Sequence, residues 1–241
     1  MPPSSAISRP IHAITLDLDD TLWPVLPTLL KAEQALQDWL AVHAPATATR
    51  YTTPNRQRLR QTLLAEHPEH AHDMSWMRHE MLRRSLIEAN EPPALADPAF
   101  EVFLSTRQQV TLYPDVAPVL ERWSQRYRLV AVTNGNADIA AIGLDRYFHD
   151  CVSAHRIGFS KPDPRMFHEA CRAAGTEPAA TLHVGDDWLL DVRAARLAGL
   201  QAAWLKRPDL KHPQAADTAD GGEVAAFENL HAMDAYLHPD G

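Results

Sequence analysis

The stretch Ile11-His12-Ala13-Ile14-Thr15-Leu16-Asp17-Leu18-Asp19-Asp20-Thr21 decides how the rest of the chain is read. It is short, apolar and partly β-branched, and it stops in a cluster of carboxylates. A near-continuous apolar run of this length suits a strand buried on both faces, and such strands belong to parallel sheets. Ligand sites in open α/β sheets lie just beyond the carboxyl ends of the strands, so these acids stand at the expected active edge. Side chains two apart in an extended chain point the same way, which aims Asp17 and Asp19 at one spot. Two facing carboxylates raise one another's pKa unless a cation or a shared proton relieves them.

Similar runs recur at Leu129–Thr133, Cys151–Ala154, Thr181–Gly185 and Ala202–Leu205. Helical patterns lie between them. Asp115 can cap a helix through Val119, Leu120 and Trp123, and Asp163-Pro164 opens a helix carrying Met166, Phe167, Ala170 and Cys171, with Gly175 as its stop. Ala194, Leu197 and Ala198 precede Gly199 in the same way. Strand-helix alternation with short connections predicts an α/β fold, a doubly wound parallel sheet. Near the C-terminus, Arg207 to Glu223 reads as a loop, and Val224 to Leu237 reads as a closing helix through Phe227, Leu230, Met233 and Leu237.

Residues 23–112 break the alternation and read as helices only. Leu29, Ala32, Leu36, Trp39 and Leu40 share a face, as do Met74, Met77, Met81 and Leu86. Asp97-Pro98 opens another helix with Phe100, Phe103, Leu104 and Val110, and prolines at 45, 92 and 93 separate the segments. This block is expected to form an all-helical cap over a core made of residues 1–22 and 113–241, with Trp23-Pro24 and Tyr113-Pro114 as hinges. Its methionine and aromatic stripes are expected to be core packing, and His67, His70, His72 and His79 are expected on the solvated surface.

A formal charge of -8 argues against a nucleic-acid surface. No run approaches membrane-spanning length, the N-terminal stretch lacks the apolar segment of a signal peptide, and the protein is expected to be cytoplasmic. Cys151 and Cys171 make neither a disulfide framework nor a zinc spacing and read as buried apolar residues.

Three further motifs follow the acidic pair. Thr133-Asn134-Gly135 ends the second strand with a hydroxyl and a turn whose N–H groups can cradle phosphate oxygens. Lys161-Pro162 brings a cation towards the next helix start, where it can neutralise a phosphoryl group and a crowded carboxylate. Gly185-Asp186-Asp187, with Asp191 behind, again sets acids at a strand end. Magnesium prefers oxygen ligands and retained waters, and Asp17, Asp186 and the backbone carbonyl of Asp19 would supply such a site. Asp191 would hold a water or orient Lys161 from behind.

Taken in this order, Asp17-Leu18-Asp19-Asp20-Thr21, Thr133-Asn134, Lys161 and Gly185-Asp186-Asp187 with Asp191 resemble the haloacid dehalogenase superfamily. The resemblance implies a Rossmann-like core with an inserted helical cap. It implies Asp17 as nucleophile, forming an aspartyl-phosphate, and Asp19 as general acid and base. Thr133, the N–H of Asn134 and Lys161 would hold the transferring oxygens, with magnesium bridging Asp17 and the phosphoryl group. Dehalogenating members lack an aspartate at the position of Asp19, because halide leaves without a proton. Phosphonate-cleaving members use a cap lysine, and the cap here holds only Lys31, near the hinge.

The tracts Asp17–Leu22, Val132–Ala137, Ser160-Lys161-Pro162, Leu182–Asp187 and Gly199–Trp204 look most like the bacterial flavin-pathway phosphatases. That likeness implies a small phosphorylated metabolite, 5-amino-6-(5-phospho-D-ribitylamino)uracil or flavin mononucleotide, and a monomer or homodimer. Trp23, just past the nucleophile, is a candidate to stack on a planar substrate or to pack between core and cap. A sugar-phosphate phosphomutase or phosphotransferase with the same nucleophile, and a phosphorylatable signalling module, are the alternatives.

Overall fold

The computed structural model describes Ile7 and residues 10–211 and 224–239. Six parallel strands form one sheet in the order β3-β2-β1-β4-β5-β6. They are β1 (Ala13–Leu16), β2 (Arg128–Thr133), β3 (Asp150–Ser153), β4 (Thr181–Gly185), β5 (Gln201–Leu205) and β6 (Ala225–Phe227). β1 lies in the middle, paired with β2 on one side and β4 on the other. The chain therefore leaves the sheet in opposite senses on the two sides of β1, which opens a crevice at the carboxyl ends. Asp17, the first residue past β1, stands in that crevice.

Alternating side chains feed two apolar layers. Ile14, Leu16, Leu129, Ala131, Leu182 and Val184 face α6 (Val116–Ser124), which contributes Val119, Leu120 and Trp123, and α11 (Leu230–Leu237). On the other face, Ala13, Val130, Val132 and Val152 meet Met166, Phe167 and Ala170 of α9 (Pro164–Ala174). Short helices α7 (Ile139–Ile142), α8 (Ala154–Ile157) and α10 (Ala194–Leu197) complete the connections.

Between β1 and β2 the chain forms α1 (Val25–His43), α2 (Pro45–Arg50), α3 (Thr53–Glu66), α4 (Met74–Glu88) and α5 (Ala96–Arg107). These helices bury a separate cluster built on Ala32, Leu36, Leu40, Leu63, Leu82 and Phe103. The expected faces of α1 and α4 are largely those observed. Val110 is an exception, since α5 stops at Arg107 and Val110 packs on the sheet's own cluster. The two crossings between sheet and helices are tied together, for the Tyr113 N–H donates to the Leu22 carbonyl at 3.0 Å.

Two expectations need correction. Val224 to Leu237 is not one helix: Ala225–Phe227 pairs in parallel with β5, and α11 starts only after Asn229, whose side chain caps it by accepting from the Ala232 N–H. Three residues with two alanines carry too little β signal to be told from the helical spacing that follows. Asp115 precedes α6 but its side chain does not cap it; its carboxylate takes the Arg207 guanidinium and the Leu230 N–H, joining β5's exit and α11 to the start of α6. Residues 212–223 of the expected loop lie outside the described residues. Cys171 is buried, Cys151 is half-buried, and both are free thiols. Among the described residues no helix is long and apolar enough to cross a membrane.

Candidate active site

The sheet's carboxyl edge and the helical block enclose a cavity of ≈ 420 Å³. Asp17, Asp19, Thr133, Asn134, Lys161, Asp186 and Asp191 all line it, so the tertiary fold gathers the sequence motifs in one place.

Lys161 is the electrostatic centre. Its ammonium is buried and donates to Asp17 Oδ1 at 2.5 Å and to Asp191 Oδ1 at 2.6 Å. Burial alone would depress its pKa, but Asp17 and Asp191 more than offset that and hold the proton firmly. Lys161 is fixed from its backbone as well, because Asn134 Oδ1 accepts from its N–H and Asn134 Nδ2 donates to its carbonyl. The Asn134 side chain thus works as a clamp between the β2 and β3 exits, a role invisible in a Thr-Asn dipeptide.

Asp191 reaches Lys161 through an unusual turn. Residues Trp188–Arg193 form a π-helical segment whose first N–H groups are capped by Asp187, at 2.8 Å from both Leu189 N and Leu190 N. The wider turn returns Asp191 beneath the end of β4, where a Cβ on Gly185 would sit 2.3 Å from Asp191 Cγ. Glycine is required there by contact. His183, on β4, adds Nε2 to Asp191 Oδ1 at 3.2 Å while its Nδ1 meets Thr15 Oγ1 at 2.8 Å, across paired positions of β1 and β4. Burial would raise the Asp191 carboxyl, but Lys161 and His183 outweigh it and bring it to about 2.

The remaining acids feel the opposite pull. Burial lifts Asp17 to about 7 despite Lys161, with Asp191 adding to the rise, and burial with Asp17 lifts Asp186 to about 8. Carboxylate oxygens of Asp17, Asp186 and Asp191 lie within 4.8 Å of one another. Thr21 Oγ1 steadies Asp186 Oδ1 at 3.1 Å. Hard oxygen donors crowded in a buried site, two of them driven towards the neutral form, fit a divalent cation such as magnesium. Asp191, expected to stand behind the metal, belongs to this oxygen cluster and bonds Lys161 as well.

Asp19 occupies a different environment. Arg107 Nη2, from the end of α5, lies 2.6 Å from both of its oxygens, and the Trp23 indole N–H donates to Oδ1 at 2.8 Å. Gly135 packs over the pair, for a Cβ there would meet Asp19 Oδ2 at 2.8 Å. Asp20, in the left-handed region at φ 61, turns the chain away and accepts from the Val25 N–H at the start of α1. The Thr133 hydroxyl, on the cavity wall, accepts from the Gly135 N–H at 2.9 Å.

Of the two readings of Trp23, packing and stacking on substrate, the structure carries packing: it is fully buried in the sheet's own cluster, is absent from the cavity wall and donates its indole N–H to Asp19. The apolar wall comes instead from Val25, Leu29, Met74, Met77, Met81 and Phe103. The methionine stripe therefore both packs the helices and faces the cavity. His67, His70, His72 and His79 are half-buried: His70 stacks on Trp76 at 4.0 Å and His79 bonds Asp97 at 2.6 Å. Among the described residues none of them joins a metal-ligating group. Sequence reasoning missed Arg107 altogether, because an arginine at a helix end eighty-eight positions from Asp19 carries no local signal.

Comparison with known proteins agrees with this arrangement. The family model described as haloacid dehalogenase-like hydrolase matches residues 11–199. The 5-amino-6-(5-phospho-D-ribitylamino)uracil phosphatase YigB of Escherichia coli (strain K12) is 32% identical over 81% of this chain and 84% of its own length. A glyceraldehyde 3-phosphate phosphatase of Methanopyrus kandleri is 31% identical over 82% of this chain and 84% of its own. Among solved structures, a protein described as 2-haloacid dehalogenase from Pseudomonas syringae pv. Tomato DC3000 superposes with a TM-score of 0.87 at 36% identity, covering 96% of this chain and 100% of that one. The chain belongs to the haloacid dehalogenase-like hydrolases, and its curated relatives place it among those that hydrolyse phosphate monoesters.

Proposed function

We propose that this enzyme is a magnesium-dependent phosphatase of a small phosphorylated metabolite, acting through an aspartyl-phosphate on Asp17. The supporting observation is the separation of two carboxylates only two residues apart. Asp17 is paired with the Lys161 ammonium, whereas Asp19 is held apart by Arg107 and Trp23. Carboxylates in such different settings take different roles.

In this reading Asp17 attacks phosphorus in line. The P–O ester bond breaks, its electron pair goes to the leaving oxygen, and Asp19 supplies the proton that oxygen needs. A water then attacks the phosphoryl group, giving its proton to Asp19. The Asp17–phosphorus bond breaks, which restores the carboxylate and releases inorganic phosphate. Lys161, Thr133 and the Asn134 N–H hold the phosphoryl oxygens, and the clamp of Asn134 on Lys161 fixes that cradle before substrate arrives. Asp17, Asp186 and the Asp19 carbonyl would hold magnesium, with Asp191 at hand; bound there, the cation offsets the repulsion between nucleophile and ester.

Residues 1–22 and 113–241 then act as the catalytic core and residues 23–112 as a cap that selects the substrate. YigB's substrate, 5-amino-6-(5-phospho-D-ribitylamino)uracil, is the favoured candidate, with flavin mononucleotide next; both carry a flat ring that suits the apolar wall. The enzyme is proposed to act as a monomer or homodimer in the cytoplasm.

A dehalogenase reading is suggested by the name of the solved relative. Asp19 argues against it, since a departing halide takes no proton. Assays of phosphate release and of chloride release from 2-chloropropionate separate the two. Magnesium-dependent phosphate release that disappears in Asp17→Asn is expected; full turnover by Asp17→Asn, or chloride release in its place, overturns the proposal.

A further inference from the structure

Arg107 has a feature that its ion pair does not explain. It ends α5, is 1% exposed and lines the cavity. One terminal nitrogen, Nη2, lies 2.6 Å from both oxygens of Asp19. The other, Nη1, is buried and has no hydrogen-bond partner among the described residues. A charged donor shut away from water and left unpaired is destabilising, and such groups commonly mark a place where a ligand or water belongs.

We infer that Arg107 Nη1 binds a hydroxyl oxygen of the substrate, carried on the carbon next to the phosphorylated one. This inference rests on the phosphatase reading above. The two terminal nitrogens share one carbon, so whatever meets Nη1 lies beside the Asp19 carboxyl. In the proposed reaction Asp19 faces the leaving oxygen, and the neighbouring substrate atom able to accept a hydrogen bond is an oxygen one carbon along. The phosphoryl oxygens themselves fall to Lys161 and Thr133.

The pairing of Arg107 selects a neutral oxygen at Nη1. Asp19 stands directly beside it and disfavours a second anion there, while the cavity's other cations are Lys161, bonded to Asp17 and Asp191, and Arg60 and Arg78. Arg107 has already committed Nη2, so it cannot grip a carboxylate with both terminal nitrogens. Gly135 shows how closely the loop after β2 packs here, for a Cβ on it would stand 2.8 Å from Asp19 Oδ2 and 3.7 Å from Arg107 Nη2. Gln108, the next residue, ties the end of α5 to that loop, donating to the Asn136 carbonyl at 3.1 Å and accepting from the Asp138 N–H at 2.8 Å. The guanidinium is therefore held in register with the core.

Further from the ester the wall turns apolar through Met74, Met77, Met81 and Phe103. The substrate class that meets both demands is a polyol phosphate whose far end carries an apolar or flat group.

The test compares two esters that differ by one oxygen, sn-glycerol 3-phosphate and 3-hydroxypropyl phosphate, by kcat/KM with magnesium. A hydrogen bond from a charged donor predicts that wild type prefers the vicinal hydroxyl by roughly 10- to 100-fold. Arg107→Met slows both esters through Asp19, but it should collapse the ratio to about one, as expected for one lost donor. A wild-type ratio within about twofold of unity, or a ratio unchanged by Arg107→Met, overturns the inference. The wild-type comparison stands even if the variant fails to fold. Phosphate release from both esters without discrimination defeats this inference alone. No release from either ester or from p-nitrophenyl phosphate defeats the phosphatase reading with it.

Discussion

At the scale of single residues, the site depends on side chains that fix other side chains. Gly185 is the sharpest case, because any side chain there occupies the place of Asp191. Gly185→Ala is expected to displace Asp191, free Lys161 from one of its two partners and lower kcat by about 100-fold or more, comparable to losing a principal electrostatic stabiliser. Circular dichroism should show the fold retained; wild-type turnover in Gly185→Ala would contradict the account. Lys161→Met removes the only cation bonded to both Asp17 and Asp191 among the described residues. Breaking a buried ionic cluster from one side costs about 3–5 kcal/mol, so this variant should lose stability as well as activity. A chemical denaturation midpoint equal to wild type would contradict that.

At the scale of elements, the fold is closed by polar contacts as much as by apolar layers. The buried pair Asp115–Arg207, at 2.7 Å, ties the start of α6 to the exit of β5, and Arg207 also donates to the Thr21 carbonyl in the turn that follows β1. Asp115 further accepts from Leu230 N, which seats α11. Asp115→Ala removes a buried carboxylate from Arg207 and the acceptor of the Leu230 N–H, and is expected to cost about 3–5 kcal/mol. For a chain of this length that is a fall in Tm of roughly 10 °C, readable by calorimetry. An unchanged Tm would mean that the apolar layer under α11 carries the closure alone.

At the scale of the whole molecule, the sheet concentrates acids at one edge, and pH reports the consequence. Asp17 and Asp186 move from an ordinary 3.8 up to about 7 and about 8 on burial. Between those limits the folded protein keeps protons that the unfolded chain has released, so the stability of the metal-free protein falls as pH rises from about 4 to 8. Asp191, lowered to about 2, works in the other sense and loses its contribution only in acid, as pH falls from about 4 through 2. Magnesium binds the ionised carboxylates and should therefore raise Tm more at pH 8.5 than at pH 6. A larger shift at pH 6, or none at either pH, would count against the Asp17–Asp186–Asp191 cluster as the cation site.

Much of this was legible in the chain itself. Period-two and near-continuous apolar runs depend on local chemistry, so five strands, their parallel arrangement and the acids at their ends follow from the sequence. The same holds for the helical block between β1 and β2, and for Lys161 as a cation drawn to Asp17. What the sequence did not contain was distance. Arg107 reaches Asp19, Asn134 clamps Lys161, and Trp23 turns inward because folding brings remote segments together. The three-residue β6 likewise exists only because β5 offers an edge to pair with. By itself the sequence determined the fold class and the set of acids at the sheet's edge, both written in local pattern. Only the tertiary structure decided how Asp17 and Asp19 come to differ and what the helical block presents to the cavity, because burial and long-range contact set a carboxylate's charge and a cavity's shape.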